Sequence, residues 1–538
     1  MADRRRRHAE LRRRGLEAAV PGGRLEGVQG AERRDIPHAG SVDEFCSSSS
    51  EEFRFCGRLG PMRPCFLSEP RATAMEIPRQ TDALSGRSHS SNAAIEQLRQ
   101  GLRGEMVLPT DAAYNQARVV WNGAIDKRPA AIVFCADPDD VVRAVTYARS
   151  QGSLVAVRSG GHNVAGLSVC DDGVVIDLSR MKKIVVDPER RIARAEAGLN
   201  LGEFDAATQA HGLATTMGIN SDTGIAGLTL GGGFGKLGRK HGLSCDNLIA
   251  AEIVTADGRL LRTSAGEHPD LFWALRGGGG NFGIVTAFEY RLHPLGPALL
   301  VGSVLHAYDQ AREAMRFYDK FSRDAPDELS VDAALVTLPS GDRAFSISAC
   351  YVGSPEAGEP VIAPLMKFGS PIESRLQAVP YLQIQSAVDS LFPRGRRYYW
   401  KAQFLREIGD GAVEALLDSY AKAPTRSSLL VFQQVGGAIA RVPVPHSPYA
   451  NRDAALDCFP IAIWDDPADD EANIRWAREL WNAVRPFSTG GVYANNLGDE
   501  GEERVRDAYG ENYARLAAIK KQYDPTNFFR LNQNIRPG

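Results

Sequence analysis

The sequence predicts an α+β protein with two or three domains. Its 538 residues exceed what one ordinary domain contains. Strand-like and helix-like segments alternate from about residue 128, and a second pattern of strands and amphipathic helices runs from about residue 300 to 484. The hydrophobic content of 43% and the aromatic content of 8% are typical of a globular enzyme.

The net charge, the hydropathy and the cysteine pattern argue against a nucleic-acid-binding, membrane-spanning or disulfide-rich protein. A formal net charge of −3 gives no reason to expect nucleic acid or an anionic membrane as a partner. The sequence contains no apolar run long enough to span a bilayer. Five cysteines follow the N-terminal region and form no CxxC pair, namely Cys135, Cys170, Cys245, Cys350 and Cys458. That usage suits a reducing compartment, so we expect a cytoplasmic protein without a metal site.

Residues 1–84 differ from the rest of the chain. The first 14 residues are rich in arginine, and the apolar core and small-residue cleavage site of a signal peptide do not follow them. A nucleic-acid-binding arm would have no partner domain to serve. We expect a disordered tail, or upstream sequence translated from a start codon ahead of a true start at Met75. We assign this region no function.

Short strands and capped helices make up the first predicted domain. A strand at 131–134 precedes Asp137 and Pro138, which supply the cap and first-turn proline of a helix ended by Gly152. Asp257-Gly258 is predicted to be the turn of a hairpin. The other predicted elements are strands at 154–157, 174–178, 249–255, 259–263 and 282–292 and a helix at 201–210.

The second predicted domain is less rich in glycine. Its predicted elements are strands at 300–306, 344–352 and 428–435 and a helix at 309–321. A last helix is predicted over 502–523, because apolar residues recur there at helical spacing and Asp524-Pro525 stops it.

The segment Arg158 to Asn163 is the first candidate for ligand binding. It follows a strand, and the adjacent Gly160 and Gly161 allow a tight turn whose N–H groups point at one anion, as a phosphate needs. The Arg158 side chain can add positive charge. His162 has no obvious use in a phosphate loop, and from the residues alone a structural or solvated histidine is the plain interpretation.

The glycine-rich stretch 218–235 is the second candidate. So many glycines between strands imply backbone packed against a large flat or phosphorylated ligand. The run from Gly233 to Gly238 formally matches the dinucleotide fingerprint, with Asp257 at a suitable distance. We reject that interpretation, because 239–244 lacks the amphipathic helix of a Rossmann unit.

Together these segments resemble the FAD-linked oxidases of the vanillyl-alcohol oxidase and p-cresol methylhydroxylase superfamily, in the bacterial type of the berberine-bridge-enzyme-like branch. The resemblance covers roughly residues 85–538, and its motifs are long and stand in family order. The matching stretches are RSGGHNVAGLSVCDDGVVIDLSRM, TGIAGLTLGGGFG, DLFWALRGGGGNFGIVTAFEYRLHP, YANNLGDE and FRLNQNIRP.

The resemblance implies a domain plan. A two-part FAD-binding domain of the PCMH type would occupy 85–297, with its core at about 127–297. An α+β substrate-binding domain with an antiparallel sheet covered by helices would occupy 298–484. The C-terminal segment 485–538 would return to close the cofactor site.

The resemblance also implies which residues hold FAD. His162 would be joined to the 8α-methyl carbon of the flavin, which gives that histidine a role. The glycine loops and the C-terminal segment would wrap the diphosphate and the ring. The residues expected at the cofactor are Arg158, Ser159, Gly160, Gly161, His162, Asn163, Gly218, Thr223, Gly224, Gly227, Gly232, Ile284, Asn495, Asn532 and Asn534.

The chain departs from the family pattern at two cofactor positions. Many members attach the flavin a second time through a cysteine, and Asn220 replaces it here. Cys245 is better explained as a small buried residue, so we predict one covalent bond. Thr223 stands where good oxidases have valine, which leaves O₂ or another molecule as the electron acceptor.

Tyr493 matches the family's catalytic base in a Tyr-x-Asn motif completed by Asn495. A tyrosine of ordinary pKa, about 10, is a poor base at neutral pH unless its phenolate is stabilised. Gln433 and Gln434 are the candidate partners on the strand at 428–435, but an amide cannot stabilise a phenolate by charge. The plainer interpretation is that Tyr493 only packs beside the ring. A polar and aromatic cluster is expected at the substrate pocket or on a sheet surface: Arg397, Tyr398, Tyr399 and Lys401.

The resemblance implies an oxidoreductase that acts on a small organic molecule, such as an alcohol, sugar, amine or secondary metabolite. Hydride would pass to flavin N5 and electrons then to O₂. A dehydrogenase or tailoring enzyme that does not use O₂ is the second hypothesis, and a flavoprotein that binds a ligand without turnover is the third. The resemblance implies no nucleic-acid or membrane partner, and a monomer or homodimer.

Overall fold

The computed structural model describes residues 85–538, and their side chains from residue 93 onward. The tail predicted for 1–84 and the start proposed at Met75 lie outside the described residues. Within the described part, three main sheets and the helices that cover them surround one large cavity.

The first sheet is small and mostly parallel. Its strands are β1 (Glu105–Val107), β2 (Ala131–Phe134), β3 (Val155–Arg158) and β4 (Val174–Asp177), in the order β1-β2-β4-β3. The helices around it are α1 (Ser85–Gly101), α2 (Tyr114–Ala117) and α3 (Pro138–Ser150). The Asp137 side chain accepts a hydrogen bond from the Asp140 N–H and Pro138 opens the first turn, so α3 begins where its local sequence predicts.

The second sheet is antiparallel and has five strands. They are β5 (Ile184–Asp187), β6 (Ile192–Glu196), β8 (Leu248–Val254), β9 (Leu260–Ser264) and β10 (Ile284–Arg291), in the order β5-β6-β10-β8-β9. A separate pair joins β7 (Leu213–Ala214) to β11 (His293–Pro294). The helices of this region are α4 (Leu201–Gln209), α5 (Ile225–Leu230), α6 (Gly238–His241) and α7 (Pro269–Leu275). The predicted hairpin is present as β8 and β9.

The third sheet has eight strands. They are β12 (Ala298–Ala307), β13 (Leu329–Thr337), β14 (Arg343–Tyr351), β15 (Glu373–Pro380), β16 (Arg397–Trp400), β17 (Gln403–Leu405), β18 (Leu429–Gln434) and β19 (Leu456–Trp464). The order is β15-β12-β14-β13-β18-β19-β16, and β17 pairs with β19. The remaining helices are α8 (Ala311–Arg323), α9 (Pro355–Met366), α10 (Tyr381–Gln385), α11 (Asp410–Tyr420), α12 (Ala438–Arg441), α13 (Asp470–Val484), α14 (Glu502–Tyr509) and α15 (Tyr513–Tyr523).

Side chains alternate across this third sheet. On β14, Phe345 and Ile347 pack into the core beneath the helices, whereas Ser346 and Ser348 face the cavity. The period of two places every second residue on each face. The sheet therefore has one apolar face for its helices and one mixed face for a ligand.

The prediction of one last helix over 502–523 was wrong. The helix breaks into α14 and α15 at Gly510, whose φ of +49° is a left-handed conformation that glycine adopts readily. The predicted stop at Asp524 is correct, because α15 ends at Tyr523.

None of the described helices has the length and apolar character needed to cross a membrane. The described residues also bring together no group of three His, Cys, Asp or Glu side chains that could hold a metal ion.

Candidate active site

A cavity of about 700 Å³ has the carboxyl end of β3 on one side and the inner face of the third sheet on the other. Most of the residues that the sequence predicts at the site line it: Ser159, Gly160, Gly161, His162, Asn163, Gly218, Thr223, Gly224, Gly227, Ile284, Tyr493, Asn495 and Asn532. Arg158, Gly232 and Asn534 do not. Asn220 also lines the cavity, whereas Cys245 is fully buried outside it.

The loop after β3 and the stretch before α5 meet backbone to backbone. A Cβ added to Gly160 would stand 2.3 Å from the Gly224 nitrogen, so only glycine permits this approach. Gly161 has a φ of +71°, in the left-handed region. The sequence predicted that these two glycine segments share a ligand, and the fold brings them into direct contact.

Arg158 does not direct its charge into the cavity. Its guanidinium forms a buried ion pair with Asp177 and donates a 2.7 Å hydrogen bond to the Ala117 carbonyl. A ligand phosphate would therefore meet backbone N–H groups of the loop rather than this guanidinium.

His162 lies in the cavity wall with three close neighbours. Its Nε2 atom is 3.2 Å from Asp222 Oδ2, and its ring stacks on Trp121 at a centroid distance of 5.0 Å. Arg394 also binds Asp222 Oδ2, at 2.5 Å. Burial lowers the pKa of His162 and outweighs the opposing effect of Asp222, so the imidazole is neutral at pH 7.

Tyr493 and Asn495 are joined across the Tyr-x-Asn motif. The Tyr493 hydroxyl oxygen accepts hydrogen bonds from the Gly233 N–H at 2.8 Å and from Asn495 Nδ2 at 2.7 Å. Burial raises the pKa of Tyr493, and these two donors only partly oppose that effect. Gly232 packs against this tyrosine and does not line the cavity. A Cβ there would stand 3.3 Å from the Tyr493 ring.

Asn496 links the cavity to a buried carboxyl group. It lines the cavity and donates a 2.6 Å hydrogen bond to Asp457 Oδ2. Asp457 is fully buried, and its Oδ1 has no hydrogen-bond partner among residues 85–538. Burial raises the pKa of Asp457 to about 7, so its charge state changes near neutral pH.

The C-terminal segment is fixed to the cavity by Lys520. Its buried Nζ atom donates to the Asn281 carbonyl at 2.6 Å, to the Phe529 carbonyl at 2.8 Å and to the Asp524 carboxylate at 2.6 Å. This arrangement holds the segment after α15 against the 279–283 turn, and Asn532 of that segment lies in the cavity wall. The Asn534 side chain is buried nearby, with its Oδ1 unpartnered.

The sheet side of the cavity carries balanced charge. Among the described residues that line the cavity, Lys236 and Asp332 are the charged pair, with Nζ and Oδ2 2.5 Å apart. Uncharged polar groups surround this pair, and apolar residues fill the rest of the wall. The polar neighbours are Ser346, Ser348, Gln377 and Gln433. Gln434 does not face the cavity, because its side chain binds the Val331 N–H and the Ser322 carbonyl.

The expected polar and aromatic cluster does not line the cavity. Arg397 pairs with Asp470 and Lys401 with Glu500. Tyr398 stacks on Trp121 at 3.9 Å instead. Trp400 is the residue of this strand that reaches the cavity.

These features fit a large flat ligand that carries a diphosphate. The N–H groups of 160–163 donate to no acceptor among the described residues. Gly227 and Gly280 leave open space where a Cβ would stand. The Asn532 Oδ1 atom and the Tyr509 hydroxyl lie buried at the cavity without a partner. FAD needs N–H groups for its diphosphate and polar partners for its ring.

Sequence reasoning missed the partners of His162. Asp222 lies inside the predicted glycine-rich stretch, but Trp121 and Arg394 come from remote parts of the chain. Their only sequence signal is the residue type, an aromatic or charged residue outside any motif. Lys236 and Asp332 were missed for the same reason.

Comparison with known proteins identifies the family of this chain. The family model for the FAD binding domain matches residues 129–264, and the model described as berberine and berberine like matches 492–536. An FAD-linked oxidoreductase of Dictyostelium discoideum is 33% identical over 78% of this chain and 91% of its own length. The (R)-6-hydroxynicotine oxidase of Paenarthrobacter nicotinovorans is 32% identical over 81% of this chain and 97% of its own length.

A solved structure has the same fold. The 6-hydroxy-D-nicotine oxidase of Arthrobacter nicotinovorans superimposes with a TM-score of 0.76 at 28% identity, over 81% of this chain and 98% of that one. The predicted α+β fold, a PCMH-type FAD-binding part joined to an antiparallel sheet, is confirmed. The chain belongs to the berberine-bridge-enzyme-like family of FAD-linked oxidoreductases and is an FAD-dependent oxidoreductase.

Proposed function

We propose that this enzyme oxidises a small uncharged organic molecule while it holds FAD through one covalent bond to His162. The observation that carries the proposal is the position of His162, a neutral imidazole in the wall of a glycine-lined cavity. Asn220 stands at the cavity wall and offers no thiolate for a second bond. When bound, FAD supplies a hydride acceptor at flavin N5.

Tyr493 is the residue we assign to proton removal from the substrate. Its oxygen already accepts two hydrogen bonds, from the Gly233 N–H and from Asn495, and both stabilise a phenolate. Burial opposes ionisation and raises the pKa of Tyr493 above its ordinary value of about 10, so the phenolate is a minor form at neutral pH and its fraction grows as pH rises.

The charge of the cavity supports an uncharged substrate. Lys236 and Asp332 neutralise each other, so an ionised group would lose its hydration without gaining a free counter-charge. Alcohols, sugars and amines in their free-base form satisfy this condition, and the serine and glutamine side chains of the wall can bind their hydroxyl groups.

Molecular oxygen is the electron acceptor that we propose. Thr223 lines the cavity at the position that many oxidases fill with valine, and this observation favours the second candidate, a dehydrogenase with another acceptor. Stopped-flow mixing of the anaerobically bleached enzyme with O₂ separates the two. Reoxidation as slow as that of free flavin would exclude the oxidase.

Acid precipitation of the purified protein tests the covalent bond. We expect the yellow colour to remain with the wild-type precipitate and to pass into the supernatant from His162→Ala. Complete release of colour from the wild type would overturn the covalent bond but not the dependence on FAD.

An anaerobic screen tests the substrate class. Uncharged alcohols, sugars and amines are mixed with the enzyme, and their carboxylated analogues are the matched controls. Bleaching by carboxylated analogues alone would contradict an uncharged substrate.

We also propose that the enzyme works in the cytoplasm as a monomer or homodimer. Five cysteines of the described residues are buried thiols without disulfides, which a reducing compartment allows. Cell fractionation and size-exclusion chromatography with light scattering test these two statements.

A further inference from the structure

The proposed reaction assigns no role to the ion pair between Asp222 and Arg394 beside His162. Asp222 and Arg394 are 172 residues apart in the sequence, and their side chains are 42% and 45% exposed. Arg394 binds Asp222 through Nε and the Gly160 carbonyl through Nη2 at 2.7 Å. The guanidinium thus ties the carboxylate of one glycine segment to the loop that carries the histidine.

The charge state of Asp222 fixes the tautomer of His162. Burial acts to raise the pKa of Asp222, but hydrogen bonds from His162 and Arg394 outweigh it and lower that pKa. An ionised carboxylate only accepts hydrogen bonds. The His162 Nε2 atom, 3.2 Å away, must therefore carry the ring proton, and Nδ1 keeps its lone pair.

The ring is also restrained against rotation. Trp121 stacks on His162 at 5.0 Å with an angle of 21° between the ring planes, and Trp121 stacks in turn on Tyr398. An imidazole that packs against an indole and donates to a fixed carboxylate keeps one orientation.

We infer that Asp222 is a positioning residue for covalent flavin attachment. Its carboxylate holds His162 as the tautomer with a free Nδ1 lone pair and stabilises the positive charge that develops on the imidazole ring. Arg394 fixes the carboxylate in place. The inference rests on the proposed covalent bond, and it gives the neutral histidine a free lone pair for attack and a proton acceptor for the step that follows.

The attachment step balances with O₂ as the oxidant. A bond forms between His162 Nδ1 and the 8α-methyl carbon, and one C–H bond of that methyl group breaks. The broken C–H bond yields one proton and two electrons, and O₂ takes up these electrons together with that proton and the Nε2 proton of His162 to give H₂O₂. The alkylated imidazole is a cation until its Nε2 proton leaves along the hydrogen bond to Asp222.

The test follows covalent attachment in the full-length chain rather than turnover. Protein produced under riboflavin limitation is mixed with FAD, and the flavin fluorescence of the denatured chain is measured against time. We expect Asp222→Asn to bind FAD but attach it about ten- to a hundredfold more slowly, the effect that losing an orienting partner has on histidine ligands. Arg394→Gln is expected to slow attachment by a smaller factor.

Asp389→Asn is the matched control. Asp389 binds the Ser221 N–H and hydroxyl, one residue before Asp222, and so restrains the same loop without touching the imidazole. Attachment at the wild-type rate in Asp389→Asn, with slow attachment in Asp222→Asn, separates ring positioning from loop restraint. Equal slowing of both variants would overturn the inference.

The outcomes separate this inference from the proposed function. If the wild type binds FAD without any covalent adduct by mass spectrometry, the proposed bond fails and the inference with it. If the wild type attaches FAD and Asp222→Asn attaches it at the same rate, only the inference fails. Should Asp222→Asn not fold, unaltered attachment in Arg394→Gln would reject it.

Discussion

Some residues of this site could be predicted from the sequence and others could not. His162 and Tyr493 could be predicted because each lies in a long motif. The partners of His162 could not, because Asp222 is 60 residues away and Arg394 is 232 residues beyond the histidine, and only the fold brings them together. The unpartnered Oδ1 atom of Asp457 could not be predicted either, because the sequence of a strand does not show whether a carboxyl oxygen in it finds a hydrogen-bond partner.

Replacement of Tyr493 by phenylalanine tests the proposed base. We expect Tyr493→Phe to lower kcat by about a hundredfold or more, the usual contribution of a general base, while the flavin spectrum stays unchanged. In the wild type, kcat/KM should rise with pH above neutral, because burial raises the pKa of Tyr493. A wild-type rate in Tyr493→Phe would leave this residue only a packing role.

The buried Asp457 should make stability depend on pH. Its folded pKa, about 7, lies above its ordinary value of 3.8, so folding favours the protonated form. This stabilisation is complete below about pH 4 and is lost as pH rises to about 7. Asp457→Asn removes the dependence, so its Tm relative to wild type should be higher at pH 8 than at pH 5.

The exposed Asp453 is the control for that comparison. Its side chain is 66% exposed and pairs only with Arg406. Asp453→Asn should show the same Tm difference from wild type at both pH values. If the Tm difference between Asp457→Asn and wild type is also the same at both pH values, the raised pKa of Asp457 is contradicted.

At the level of elements, local signals predicted where helices begin better than where they are interrupted. The cap at Asp137 and the proline at 138 set the start of α3 by contacts within four residues. The break at Gly510 was missed, because glycine is tolerated within a helix and only the packing of α14 and α15 selects its positive φ. The meeting of the two glycine segments needed both motifs to be interpreted together.

The contact between Gly160 and Gly224 predicts a loss of cofactor binding. In Gly224→Ala the new Cβ would lie 2.5 Å from the Gly160 nitrogen and 2.6 Å from Ser159 Oγ, so the loop must move. We expect weaker FAD binding by equilibrium titration and a lower Tm. Gly266→Ala is the control, because nothing lies within 4 Å of its added Cβ, and it should match the wild type.

The whole molecule depends on contacts between the first two sheets and the third, which the sequence could not predict. Arg239 shows the difficulty. It directly follows the run from Gly233 to Gly238 that formally matches a dinucleotide fingerprint. Its guanidinium reaches three carbonyls beside the third sheet, of Leu329, Val435 and Ala325, each at 2.8 Å. Such long-range hydrogen bonds leave no periodicity in the sequence. The fold class was predictable from the motifs and from the alternation of strand and helix patterns. The contacts that join the first two sheets to the third were not.

Removal of that guanidinium should destabilise the whole chain. Arg239→Met removes the guanidinium donor from two buried carbonyl groups and one partly buried carbonyl group, and we expect the free energy of unfolding to fall by about 3 kcal/mol or more. Arg441→Met is the control, since its guanidinium is 62% exposed and pairs with Asp327, and an exposed pair of this kind contributes about 1 kcal/mol or less. Denaturant unfolding measures both, and equal effects would refute the prediction.

The mutual neutralisation of Lys236 and Asp332 has a consequence for turnover. An oxidation that leaves its product ionised creates a charge in surroundings that have no counter-ion to spare. The cavity binds such a product less tightly than it binds the substrate, because water solvates the new charge better than the cavity does. If the substrate is uncharged, as we propose, this wall would therefore release an ionised product faster than a neutral one.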